Sequence, residues 1–190
     1  VAESWSSSPD GLTWTFNLRE NARWSNGDPV RASDFVYSWR RAMMPETAAD
    51  YSGFVHGIEG ALDFFKWRTQ ATAEYASSGE HSEEAAEALL EESWSRFDET
   101  VGLKAPDERT LVVTLAHPIA YFLDLCAFGA LSPVHPPTIE AHVHLNPATG
   151  LLEQDHGWTK ADAHVGNGPY RLERWRYMRD LRLERNPEYW

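Results

Sequence analysis

The chain holds 190 residues, with 17 Lys+Arg against 29 Asp+Glu, a formal net charge of −12 and a pI near 5.0. Its 42% hydrophobic content and nine Trp can bury a core, which argues against disorder along the whole chain. The acidic balance argues against a nucleic-acid backbone or an anionic membrane face as the main partner, and no apolar run nears the roughly 20 residues of a transmembrane helix.

The ends carry neither an initiator Met nor a basic-then-apolar leader, so the chain reads as a piece of a longer protein. The single cysteine, Cys126, leaves no internal disulfide and no Cys-based zinc site. It lies in the apolar stretch 119–127 and reads as a small buried hydrophobe rather than a reactive thiol.

In chain order, Ser6 to Gly11 has the composition of a turn. Trp14, Phe16 and Leu18 then alternate with Thr15, Asn17 and Arg19, the period of a half-buried strand. Asn26-Gly27-Asp28-Pro29 is a second turn, with Trp24 before it as an apolar anchor. Phe35, Val36, Trp39, Ala42 and Met43 recur at helical spacing, with Arg40 and Arg41 near the negative C-terminal end and Pro45 beyond. Ser33 or Asp34 is the expected cap. Tyr51, Phe54 and Val55 fall in a mixed stretch before Gly57 and Gly60.

From Glu74 to Glu99 there are nine acids and one base, Arg96, while Ala85, Ala86, Leu89, Leu90 and Trp94 favour helix. The expectation is a solvated acidic helical segment, because the alternating ligand pattern and turn glycine of a calcium loop are missing. Val101 and Leu103, the turn at Pro106-Asp107-Glu108, then Leu111, Val113 and Leu115 predict a β-hairpin. The stretch around Phe122 predicts a helix. Ser132 to Pro137 predicts a stiff extended connector, since each proline fixes φ. Two strands with a turn near Met178 are predicted at the end, where six arginines in 171–185 are interleaved with Glu173, Asp180 and Glu184 and are expected to be solvated or to pair across the sheet rather than form a nucleic-acid patch.

No catalytic constellation emerges: there is no GxSxG, no phosphate-cradling glycine loop and no HExxH. His135, His142, His144, His156 and His164 fall close together, and His142-Val143-His144 would set two imidazoles on one side of a strand. With no Cys or spaced carboxylate to complete a ligand set, exposed loop histidines are preferred over a metal site.

Several ordered motifs together resemble the peptide/nickel-type solute-binding proteins of ABC importers, most closely the oligopeptide-binding ones. They are Ala2-Glu3-Ser4-Trp5, Asp10-Gly11-Leu12-Thr13-Trp14-Thr15-Phe16, Trp24-Ser25-Asn26-Gly27-Asp28-Pro29, Ser33-Asp34-Phe35-Val36-Tyr37-Ser38-Trp39-Arg40-Arg41, Gly166-Asn167-Gly168-Pro169-Tyr170 and Asn186-Pro187-Glu188-Tyr189-Trp190. The likeness spans nearly the whole chain except about 66–99.

That resemblance implies an α+β fold of mixed small sheets with packed helices, a fragment of a two-lobed type II periplasmic-binding-protein fold with its extra domain. Residues 1–135 would be most of the small extra domain, with an acidic helical insertion at about 66–99. Residues 136–165 would be a connector loop region and 166–190 strands of the first lobe. The implied function is an extracytoplasmic receptor, not an enzyme, that captures short peptides and hands them to an ABC permease. It would work as a monomer without cofactor or metal, in the periplasm or at the outer face of the cell membrane, with a lipid anchor on the missing N-terminus as an option. The alternatives are the same fold binding chelated nickel, an opine or a sugar and, from another class, a carbohydrate-active module suggested by the tryptophans.

Two positions carry over by resemblance. Tyr51 matches a tyrosine lining the peptide cleft of oligopeptide-binding relatives, where an aromatic plate with one hydroxyl packs against varied side chains. Phe128, four residues before Ser132-Pro133-Val134, falls where some relatives place a histidine near the ligand's carboxylate end, so a possible charge partner is replaced by an apolar ring. Arg31 stands where the family favours a Thr helix cap, a change expected to cost about 1 kcal/mol unless Ser33 substitutes.

Overall fold

A computed structural model of the chain describes residues 1–79 and 81–190. The alternating Trp14, Phe16 and Leu18 form the strand β2 (Thr13–Leu18), which pairs antiparallel with β1 (Ala2–Ser7). β1 carries no alternating apolar signal, and the sequence reading placed its last residues in the turn. Backbone pairing with β2 makes it a strand, and the turn contracts to Ser8–Gly11, where Ser8 Oγ and Asp10 Oδ1 accept the Thr13 and Leu12 N–H groups.

The helix α1 (Ala32–Met43) follows the Asn26–Pro29 turn. Its N-cap is Arg31 rather than Ser33 or Asp34. Asp34 sits one turn in and accepts the Arg31 N–H at 2.9 Å, replacing the missing Thr from inside the helix. Two 3₁₀ turns, Pro45–Thr47 and Ser52–Phe54, lead to α2 (Ala61–Ser78) and α3 (Glu83–Thr100). The predicted acidic helical segment is therefore an antiparallel helical hairpin whose first helix starts before the acidic run.

Gly60 fixes the base of that hairpin. Its φ is +72°, and a Cβ there would lie 2.1 Å from the Thr100 carbonyl oxygen, so only glycine lets the start of α2 meet the end of α3. The acids face water, but the inner faces of the hairpin are packed, with Phe64 and Phe97 buried and their rings 5.5 Å apart.

The strands β3 (Leu103–Lys104) and β4 (Thr110–Thr114) complete a sheet of order β1-β2-β4-β3, antiparallel throughout. Its buried face, Phe16, Leu18, Leu103, Leu111 and Val113, meets Trp39 and Met43 of α1 together with Phe64 and Phe97 in one apolar core. The short α4 (Phe122–Cys126) lays Phe122 on Trp14 and Phe16. Burial pushes the Cys126 thiol up to about 12, which keeps it protonated and unreactive.

Beyond Ser132 the expected connector is ordered. Pro136 and Pro137 open the helix α5 (Pro136–Glu140) instead of extending the chain, because the first turn of a helix needs no N–H from them. The hairpin β5 (Val143–Asn146) and β6 (Leu151–Gln154) follows, so 136–165 holds a short helix and two paired strands between loops. The end of the chain is the predicted ribbon of β7 (Tyr170–Arg176) and β8 (Asp180–Arg185), turning at Met178 with φ +55°. Four of its six arginines pair across the ribbon: Arg171 with Glu184, Arg182 with Glu173, and Arg174 and Arg176 with Asp180.

Candidate functional site

Motifs that are far apart in sequence meet in space. Trp24 is buried and donates its indole N–H to Asp34 at 2.9 Å, tying the Asn26–Pro29 turn to the first turn of α1. Asp28 in that turn reaches the buried His135 at 2.9 Å, and His135 also bonds Thr138. The Ser25 N–H donates to the Gly166 carbonyl at 2.8 Å, and Val165 and Trp190 pack on the Trp24 cluster. Asn186 locks the closing motif by donating its backbone N–H to Pro169 O and its side-chain amide to Gly168 O. The turns that the sequence reading singled out thus form one scaffold.

The two predicted site residues also come together. Tyr51 precedes the Ser52–Phe54 turn and Phe128 precedes the Gly129–Leu131 turn. Their rings lie 5.2 Å apart, edge to face, and Phe54 completes a triangle at 5.5 Å from Tyr51 and 5.4 Å from Phe128. Tyr51 is 52% exposed and Phe128 42%, so these rings are presented to solvent rather than absorbed into the core. The Tyr51 hydroxyl makes no hydrogen bond among the described residues. Phe54 entered the sequence reading without a role, since its contribution depends on 3₁₀ turns that no periodicity announces.

What holds this corner rigid was not foreseen. Arg68 of α2 is fully buried and pairs with Glu46 at 2.7 Å, while also donating to Ser93 of α3 and to the Gly150 carbonyl. One guanidinium thereby joins both long helices, the Pro45–Thr47 turn and the β5–β6 loop. Gly150, with φ +66°, has no room for a Cβ beside Leu89 and Tyr75. The Phe128 side is fixed by Trp39, whose indole donates to the Leu131 carbonyl at 2.9 Å.

An apolar groove of about 430 Å³ runs between the sheet, α1 and α4, lined by Trp5, Phe35, Leu123 and Leu131 among others, with Asn167 at its edge. The Asn167 side-chain amide nitrogen is buried without a partner, and Trp5 is exposed.

The histidines part company. His142 bonds Asp155 at 2.8 Å and His144 pairs with Glu153 at 3.3 Å, so the two do not share a ligand. His135 is buried, contrary to the exposed-loop expectation, because it staples α5 to the Asp28 turn. Among the described residues no group of three His, Cys, Asp or Glu is placed to hold a metal ion.

The chain is thus a small α+β unit that presents exposed aromatics on a scaffold of turns. The chain belongs to the bacterial extracellular solute-binding proteins, family 5 (middle), whose profile matches residues 1–190. It is 34% identical to the periplasmic oligopeptide-binding protein OppA of Salmonella typhimurium and 33% identical to the dipeptide-binding protein DppE of Bacillus subtilis. Both matches take in all of this chain and 28% of the relative, so the chain spans less than a third of those curated proteins. In three dimensions it matches Haemophilus influenzae OppA in complex with RPPGFSPFR at a TM-score of 0.74 and 32% identity, covering 100% of this chain and 30% of that one. None of the described helices is long and apolar enough to cross a membrane.

Proposed function

We propose that this chain is part of an extracytoplasmic receptor that captures short peptides and delivers them to an ABC permease, without catalysis. The observation that carries the reading is the solvent-facing Tyr51–Phe54–Phe128 triangle on a buried scaffold, in a chain of this family. Tyr51 and Phe128 are the proposed ligand-facing residues. Aromatic plates accept side chains of many shapes, and the free Tyr51 hydroxyl offers one polar contact, a combination suited to tolerant recognition. With Phe128 in place of a histidine, that end of the ligand meets an apolar wall rather than a charge.

Residues 1–135 would form most of the extra domain, and 166–190 would supply strands to the first lobe. The lobe that closes over the peptide lies outside this chain in this reading, and closure is a hinge motion. The site of action is the periplasm or the outer face of the membrane.

The test is to purify the intact protein carrying this chain, extract what co-purifies and identify it by mass spectrometry. A mixture of short peptides is expected, with a thermal upshift on adding a peptide panel. A single non-peptide compound and no peptide shift would move the function to another solute.

A further inference from the structure

A second cavity of about 840 Å³, lined by charged as well as apolar side chains, lies between α1, the Pro45–Thr47 turn and the β5–β6 hairpin, and neither Tyr51 nor Phe128 lines it. Two consecutive guanidiniums from the last turn of α1 face it. Arg40 stacks on the Trp94 ring, 4.0 Å from its centroid. Arg41 gives Nε and Nη2 to Gln154 Oε1 at 3.2 and 2.6 Å. Among the described residues neither arginine forms an ion pair, and Arg40 makes no hydrogen bond at all. Burial lowers the pKa of both; Asp98 and Glu140 act on Arg40 in the opposite sense without forming an ion pair with it.

The same cavity has an unsatisfied acceptor. Glu46 lines it with a side chain only 4% exposed; Oε1 is held by Arg68, while Oε2 is buried with no partner. Glu140 adds a carboxylate near Arg40 and Tyr37, and burial followed by that carboxylate pushes the Tyr37 hydroxyl up to about 12, so it remains a donor. A polyanion such as phosphate would meet these carboxylates as well as the arginines. A solute with one carboxylate and one ammonium matches both sets, the first on the stacked Arg40 guanidinium and the Arg41 N–H groups that Gln154 leaves open, the second on Glu46 and Glu140.

We infer that this cavity is a binding site for a small zwitterionic carboxylate of the amino-acid class, with Arg40 and Arg41 as its carboxylate-binding residues. It is a site separate from the aromatic triangle.

Isothermal titration of the intact protein with 6-aminohexanoate, hexanoate and hexylammonium tests the charge requirement. Saturable heat is expected for the zwitterion, less for hexanoate and least for hexylammonium. Arg40→Gln and Arg41→Gln should each weaken the zwitterion about tenfold or more, since each removes a charge-assisted contact. Arg41→Lys should retain more binding than Arg41→Gln, and it keeps the test alive if Arg40→Gln, by losing its stack on Trp94, fails to fold. The double variant Tyr51→Ala/Phe128→Ala should bind the zwitterion as the parent does, which separates this site from the proposed peptide surface. No saturable heat with the zwitterion, equal affinity in folded arginine variants, or loss of binding in the aromatic double variant would each overturn the assignment.

Discussion

The four-stranded sheet and the β7–β8 ribbon are built from the same period-two pattern and end in opposite states. In the sheet, Phe16, Leu18, Leu111 and Val113 are buried because α1, α2 and α3 lie across them. In the ribbon, Tyr170, Trp175, Leu181 and Leu183 also gather on one side, with the Arg–Glu and Arg–Asp pairs on the other, yet all four are more than half exposed. Alternation specifies which face is apolar; only a partner element makes that face a core. The difference fits the proposal that the ribbon belongs to a lobe whose remainder lies outside this chain.

Charge pairs sharpen the contrast and carry the largest expected effect. Arg68 and Glu46 are both buried, so Arg68→Ala leaves a buried carboxylate without its partner. It should cost about 3–5 kcal/mol in urea unfolding, and Arg68→Met with Glu46→Leu should recover much of that loss. Arg171 and Glu184 in the ribbon are each more than two-fifths exposed, and Arg171→Ala should cost less than about 1 kcal/mol. Equal costs for the two would show that the ribbon is as well packed as the core.

Next in size is the Trp24 junction. Trp24→Phe keeps the apolar ring and removes the N–H that Asp34 accepts, leaving a buried carboxylate short of one donor. A loss of about 1–3 kcal/mol in thermal unfolding is expected. That loss should be absent for Trp5→Phe, whose ring is exposed and whose indole has no partner among the described residues.

These residues also show how far the sequence could be read. The strands β2, β4, β7 and β8 and the helix α1 were legible because their hydrophobic periods are set locally. Tyr51 and Phe128 were named by resemblance, and the structure adds that they touch each other and Phe54. β1 was missed because its pairing with β2 is a backbone event that leaves no mark on Ser4, Ser6 or Ser7. Arg68 was invisible for a related reason: a buried arginine in a helix looks like any surface arginine until Glu46, Ser93 and Gly150, distant in sequence, arrive around it. The proline run misled because one residue type serves both an extended connector and the first turn of a helix.

A smaller effect separates the two regions in another way. Leu183→Ser on the ribbon's open face should move the stability of this 190-residue chain by no more than about 0.5 kcal/mol, because little water is excluded there. If the ribbon's apolar face is covered in the intact protein, the same substitution there should cost several times more. Matching small losses in both proteins would remove the idea that another element covers this face.

The smallest expected effect is electrostatic and sets one carboxylate from each region side by side. The Asp28 carboxyl is held below its usual range first by the Asn26 amide and then by His135 and Arg31, and Asp180 is held down first by Arg176 and then by Arg174. For a carboxylate depressed in the folded state, the stabilisation is fully present above its unfolded pKa of about 3.9 and is lost as pH falls through the lower folded value. The gap in melting temperature between the parent chain and Asp28→Asn should therefore be present at about pH 5 and close as pH falls below about 4. Carboxylates common to both proteins, such as Asp10 and Asp107, titrate alike and cancel in this difference. Asp28 is tied to the core through His135, so its protonation is felt in global unfolding. Asp180 belongs to a ribbon that opens on its own in this account, so the parent and Asp180→Asn should melt together at every pH in the 190-residue chain. An acid-dependent gap for Asp180→Asn as large as that for Asp28→Asn would mean that the ribbon unfolds with the core, and the contrast between the two regions would fail.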